Sequence, residues 1–152
     1  FIEAFGRSLR AMRTIWRSPA NAQPFLLAGS GTLSMEVAVW NTLDPGQRAL
    51  VVGTGYFSDR MATMLRRRGV DVISLTSELG HTVPPSEVAA VLEHTAVDAV
   101  CITHVDTSTG VRADVAGIAK VAKAAASWCW WTRCAPPLER RWTRARAVWM
   151  CT

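Results

Sequence analysis

No stretch of this 152-residue chain approaches the ~18 consecutive apolar residues that a membrane-spanning helix needs, and no basic-then-apolar leader opens it. Internal repeats and low-complexity linkers are also missing, which excludes solenoid and array architectures. Cys101, Cys129, Cys134 and Cys151 match no zinc-ligand spacing, so neither a metal site nor a disulfide framework is expected. Cys101, inside the apolar run Ala99-Val100-Cys101-Ile102, reads as a small buried hydrophobe. Gly53-Thr54-Gly55 lacks the third glycine of a dinucleotide fingerprint, and no acid closes the next strand.

What remains is ordinary for a globular chain. Hydrophobic residues make up 49% and charged residues 19%, which suggests neither disorder nor a fibrous class. A domain of this length buries roughly 70% of its unfolded surface, enough for a real core. The net charge of +5 hints at an anionic partner until it is partitioned. Residues Ser127 to Thr152 carry +4 of it, together with five of the seven tryptophans and three of the four cysteines. The basic balance therefore belongs to the tail.

Ahead of that tail the chain alternates helices and strands. Ile2, Phe5, Leu9, Met12 and Trp16 recur at helical spacing, and Ser18-Pro19-Ala20-Asn21 stops the run. Because Phe1 already lies in this pattern, further sequence is expected ahead of it. Pro24 to Ala28 reads as a short strand, Leu33 to Leu43 as a helix stopped by Asp44-Pro45-Gly46, and Ala49 to Val52 as a strand. Ser58 to Arg68 reads as a helix whose Arg66-Arg67-Arg68 end suits the helix dipole, and Val70 to Leu75 as a strand. A helix from Pro84 to about Glu93, a strand Ala99 to Ile102 and a helix from about Asp114 to Ala126 complete the series. Apolar strands alternating with helices imply an α/β fold, a mostly parallel sheet with helices on both faces.

In such a sheet, ligands bind beyond the carboxyl ends of the strands. Three loops are expected on that edge: Gly29 to Thr32, Gly53 to Phe57, and Thr103 to Gly110. Gly29-Ser30-Gly31-Thr32 pairs glycines with hydroxyls at a helix start, a combination suited to a phosphate, although Ser30 or Thr32 can equally serve as a plain helix cap. Thr103 to Gly110 can likewise be a turn satisfying its own backbone, and His104 by itself reads as structural.

Taken together, Gly29 to Glu36, Asn41 to Gly46, Gly55 to Arg60 and Thr103 to Val111 resemble the class V aminotransferases, nearest to the alanine–glyoxylate, serine–pyruvate and serine–glyoxylate branch. The likeness runs from about Phe1 to Ala126. It implies part of the large domain of pyridoxal-phosphate-dependent transferase fold type I, working as a homodimer on a small amino acid (alanine or serine) and a 2-oxo acid (glyoxylate or pyruvate). Pyridoxal 5'-phosphate is the implied cofactor. Ser30, Gly31 and Thr32 match the segment that holds its phosphate, and Phe57 matches the aromatic stacked on the pyridine ring. Thr107 matches the hydroxyl residue beside the ring, and Ser108, Thr109 and Gly110 look like the turn that positions it. Neither nucleic acid nor membrane is an expected partner; the implied setting is soluble, in the cytoplasm or an organelle such as the peroxisome.

The family also demands an Asp against the ring nitrogen and a Lys that anchors the cofactor. After Thr109 the sequence offers only Lys120 and Lys123, on a helix ahead of the place where the Asp belongs. No catalytic residue is therefore assigned, and the chain as written is expected to be inactive. The missing Asp emerges one reading frame over. Since Trp has the single codon TGG, Ser127-Trp128-Cys129-Trp130-Trp131-Thr132 becomes NTG-GTG-YTG-GTG-GAC, or Leu/Val/Met, Val, Leu, Val, Asp. Val148 to Thr152 similarly gives Leu/Val/Met, Asp, Val, His/Tyr. Residues 1–126 thus read as the cofactor-binding part and 127–152 as a frameshifted tail. Rival readings are a non-catalytic phosphate-binding module, and a genuine basic, Trp-rich tail for nucleic acid or a membrane surface. A cysteine desulfurase is conceivable too, but no mobile nucleophilic Cys loop is in evidence.

Overall fold

The computed structural model describes residues 1–15, 23–133 and 149–151. The turn expected at Ser18 to Asn21 and most of the Trp-rich tail lie outside the described residues. In chain order the elements are α1 (Ile2–Ile15), α2 (Gly31–Thr42), β1 (Arg48–Gly53), α3 (Tyr56–Arg67), β2 (Asp71–Thr76), α4 (Pro85–His94), β3 (Ala99–Thr103), β4 (Val105–Asp106), β5 (Val111–Arg112), α5 (Val115–Ala124), β6 (Trp128–Arg133) and β7 (Trp149–Cys151).

Five strands form one sheet in the order β2-β1-β3-β6-β7, every neighbouring pair parallel. Alternation along the strands then sorts side chains between two faces. Ala49 and Val51 of β1 and Ala99 and Cys101 of β3 meet Met35, Ala38 and Val39 of α2 and Met61, Ala62 and Leu65 of α3. On the other face Leu50, Val52, Val100 and Ile102 meet Val88 of α4 and Val115, Ile118 and Ala122 of α5. The expected α/β architecture is therefore the observed one, with strands in the middle of the sheet buried on both sides. β2 at the edge is only partly covered.

Local chemistry sets the boundaries. α3 ends in a Schellman turn: Val70 N–H donates to Leu65 O at 3.0 Å and Gly69 N–H to Arg66 O at 3.0 Å, with Gly69 at φ +84°. Of the three arginines there, Arg68 stacks over Trp40 at 4.3 Å and pairs with Asp44 at 3.3 Å, while Arg66 donates to Ser74 Oγ. Those roles are structural. α5 closes in the same way, Ser127 N–H donating to Ala122 O, but the residue in the left-handed position is Ala126, at φ +56°. A Cβ there costs about 1 kcal/mol relative to glycine.

One expected element is absent. Pro24 to Ala28 is no strand: Phe25 and Leu27 are 75% and 63% exposed, and the segment joins no sheet among the described residues. Proline at its head removes a donor, and an apolar run without a neighbouring strand has nothing to pair with.

The buried thiols give the sheet a pH dependence. Burial pushes Cys101 well above the usual thiol range, with the neighbouring Cys129 adding to the effect, and burial pushes Cys129 up to about 12. Both are protonated in either state below about pH 8.5, where their contribution is intact. Above it the unfolded chain ionises first, so stability falls toward pH 12, by up to about 1.4 kcal/mol per pH unit per thiol. Urea unfolding at pH 7, 9 and 10.5 should show this decline, and Cys101→Ala/Cys129→Ala should flatten it.

Candidate cofactor site

Parallel strands send their following loops to one edge of the sheet, and two of the three candidate loops follow strands there. Gly53-Thr54-Gly55 leaves β1 for α3, and the β4–β5 hairpin, antiparallel through Val105 to Arg112 and Asp106 to Val111, leaves β3 for α5. The third, Gly29 to Thr32, follows the irregular Pro24–Ala28 segment instead, which corrects the expectation that all three follow strands.

Asp106 joins the first two loops. Its carboxylate is fully buried and accepts from Phe57 N–H at 3.0 Å, Ser58 N–H at 3.4 Å, Ser108 N–H at 3.1 Å and Ser108 Oγ at 2.6 Å. The first two donors belong to the opening turn of α3, where N–H groups lack helical acceptors and the dipole favours negative charge. Three hydroxyls tighten the junction. Ser58 Oγ accepts from Thr54 and Gly55 N–H at 2.8 and 3.0 Å, Ser108 Oγ accepts from Tyr56 N–H at 3.0 Å, and Thr109 Oγ1 donates to Thr54 O at 2.8 Å. A Cβ on Gly55 would lie 2.6 Å from Ser108 Oγ and 2.8 Å from Asp106 Cγ, so only glycine lets the two loops approach this closely.

α3 starts two residues earlier than its sequence pattern suggested. Phe57 therefore lies in a first helical turn, with its ring edge-on to Tyr56 at 5.4 Å and partly exposed. Thr107 is exposed just past Asp106, in the turn closed by Gly110 N–H donating to Asp106 O.

The third loop is tied in by a cation. α2 also starts early, at Gly31, with Ser30 as its N-cap accepting from Leu33 N–H at 3.2 Å. Gly31 and Thr32 occupy the opening turn, where backbone N–H groups have no helical acceptor. Arg60 of α3 donates to Thr32 Oγ1 at 2.6 Å and to Tyr56 Oη at 3.1 Å, its guanidinium 5.2 Å above the Tyr56 ring. Hydroxyls, open N–H groups, helix dipole and guanidinium converge on one spot, a donor set suited to a phosphate.

All five candidate residues, Ser30, Gly31, Thr32, Phe57 and Thr107, thus belong to elements linked by Arg60 and Asp106. Sequence reasoning gave no role to Asp106, Ser58 or Arg60. Ser58 was findable as a hydroxyl three residues after a glycine at a helix start; the other two act over 49 and 28 residues of sequence, which no local pattern reports.

The class-V aminotransferase family profile matches residues 19–130. Alanine–glyoxylate aminotransferase 1 of Saccharomyces cerevisiae is 40% identical over 130 residues, covering 81% of this chain and 34% of that protein. Serine–glyoxylate aminotransferase of Hyphomicrobium methylovorum is 38% identical over 104 residues, covering 66% and 26%. Among solved structures, alanine–glyoxylate aminotransferase from Nostoc sp. superposes with a TM-score of 0.76 at 26% identity, over 82% of this chain and 33% of that one. The chain spans between about a quarter and a third of the length of these relatives.

Replacing Asp106 by Asn keeps the shape but turns one acceptor into an NH2 that faces N–H donors. Asp106→Asn should cost about 3 kcal/mol of stability, read as a lower urea midpoint; an unchanged midpoint would show that the carboxylate does not organise this edge.

Proposed function

This chain belongs to the class-V aminotransferase family, and from that premise we propose that the protein moves an amino group between a small amino acid, alanine or serine, and a 2-oxo acid, glyoxylate or pyruvate, using pyridoxal 5'-phosphate. The observation that carries the reading is the junction of the α2 N-terminus, the first turn of α3 and the β4–β5 hairpin on one sheet edge. The donors at the α2 N-terminus fit the cofactor's phosphate. The hydroxyl of Thr54, buried between β1 and α3 with no partner among the described residues, leaves a further polar contact to be made on that edge.

When bound, pyridoxal phosphate supplies the electron sink for the pair released at the substrate Cα. The chain's own residues bind and orient. Ser30, Gly31 and Thr32 hold the phosphate end, and Phe57 covers a ring face and excludes water from it. Thr107, carried on the turn that Asp106 closes, would present its hydroxyl beside the ring. The family resemblance further implies that the whole protein works as a homodimer.

A covalent anchor and base for the proton at Cα is not offered by Lys120 or Lys123. Both are exposed on α5, which runs from the site's edge back toward the start of β6. We read residues 127–152 as translated out of frame. Three observations support this: the family match stops at residue 130, β6 sits beside β3 with Thr132 level with Thr103 at the site's edge, and the shifted frame puts Asp at that level. In addition, Trp130 is 1% exposed and its indole N–H has no partner among the described residues, whereas the shifted frame supplies Leu.

The 152-residue chain should form no glycine from glyoxylate with alanine or serine as donor, while the protein encoded by the shifted frame should; turnover by the chain as written would sink the assignment of what it lacks. Sequencing the gene around Ala125 to Ser127 should reveal a single-nucleotide discrepancy, and peptide mass spectrometry should find Val-Leu-Val-Asp in place of Cys-Trp-Trp-Thr. Isolation of a peptide containing Trp-Cys-Trp-Trp-Thr would reject an error in reading the gene and place the shift in the gene itself.

A further inference from the structure

The opening turn of α2 holds one hydroxyl with an unbalanced set of hydrogen bonds. A guanidinium carries donors only, so at 2.6 Å from Arg60 Nη1 the oxygen of Thr32 is an acceptor and its proton must point elsewhere. Deeper in a helix, such a proton goes to the carbonyl four residues back, as in Thr42 to Ala38 O at 2.7 Å and Thr63 to Asp59 O at 3.0 Å. Thr32 is the second residue of α2, so the residue four back, Ala28, lies outside the helix. Its hydroxyl proton has no acceptor among the described residues, in contrast to the hydroxyls of Ser58 and Ser108, which donate to Gly55 O and Asp106 Oδ1.

Arg60 is itself fixed and unneutralised. Tyr56 Oη accepts from it and the Tyr56 ring lies beneath it, while no carboxylate pairs with it among the described residues. A full positive charge is therefore braced beside the helix N-terminus, and its planar fork has one branch on Thr32 and the other on Tyr56.

We propose that Arg60 is a positioning residue for the cofactor's phosphate: by donating to Thr32 Oγ1 it turns the Thr32 hydroxyl proton toward the phosphate oxygens and adds its own charge behind that donor. This rests on the reading of the α2 N-terminus as the phosphate end of the site. Arg60 acts through Thr32, so the two residues should not contribute independently.

The test measures binding of pyridoxine 5'-phosphate and of pyridoxine to the 152-residue chain, followed by the backbone amide resonances of Gly31 and Thr32. Both probes carry an alcohol where pyridoxal has its aldehyde, so neither condenses with Lys120, Lys123 or the N-terminal amine. The wild-type chain should prefer the phosphorylated probe. Arg60→Met should shrink that preference about tenfold, and Arg60→Lys, which keeps charge without the fork, about threefold. In a Thr32→Val background, Arg60→Met should cost about threefold or less. Thermal transitions of each variant check folding, and Arg60→Lys carries the test if Arg60→Met unfolds. A wild-type preference left unchanged by both Arg60 variants, or an equal loss with and without the Thr32 hydroxyl, overturns the role of Arg60 and leaves the phosphate reading standing. No preference for the phosphorylated probe in the wild type removes both.

Discussion

The buried carboxylate of Asp106 is the contact on which the site's edge depends. A negative charge with no exposure to water is tolerable only where donors surround it, and here they come from two separate stretches of chain, the opening turn of α3 and the turn after β4. The same bonds that solvate the charge therefore fasten the two loops to each other. Gly55 makes the fastening possible by leaving out a side chain where the hairpin presses in. Phe57 and Thr107, the two residues matched to the cofactor ring, inherit their separation from this one junction.

The two neighbouring helix starts have been treated differently. At α3 the chain's own carboxylate occupies the positive end of the dipole, and Ser58 takes up the remaining loop N–H groups. At α2 the cap is a neutral serine, and the nearest charge is the cation of Arg60. An incoming dianion thus meets one helix start already neutralised and one left positive. The sheet beneath contributes rigidity: its middle strands are covered on both faces, so the loops emerge from a fixed platform.

The parts of this arrangement visible in sequence were those that follow from periodicity and turn chemistry. Apolar runs located β1, β2 and β3, and Pro85, Gly46 and Gly69 marked where helices begin and strands resume. The glycine and hydroxyl loops pointed to the edge where the starts of α2 and α3 meet the β4–β5 hairpin. The Pro24–Ala28 run misled because apolarity alone does not supply a neighbouring strand. α2 and α3 began two residues before their apolar pattern, since the first turn of a helix faces a loop rather than the core and carries no hydrophobic signature. Asp106 and Arg60 escaped for a different reason. Beside their local bonds to Ser108 and Tyr56, they join the loops through bonds to residues 49 and 28 positions away, which depend on the fold having already brought the loops together.

β6 shows what a covered parallel strand demands of its residues. Cys129 and Trp130 are buried beside β3 although the strand, in the frame as written, carries none of the family's acidic chemistry. A seat of this kind selects for apolar side chains and for a backbone able to join the ladder, and the unpaired indole N–H of Trp130 shows that apolar residues do not fill it equally well. Cys129 and Trp130 thus extend the ladder and fill the layer between strand and helix while contributing no charged group to the edge above them. Pairing and burial set the path of this strand, and the group at its far end is free to differ.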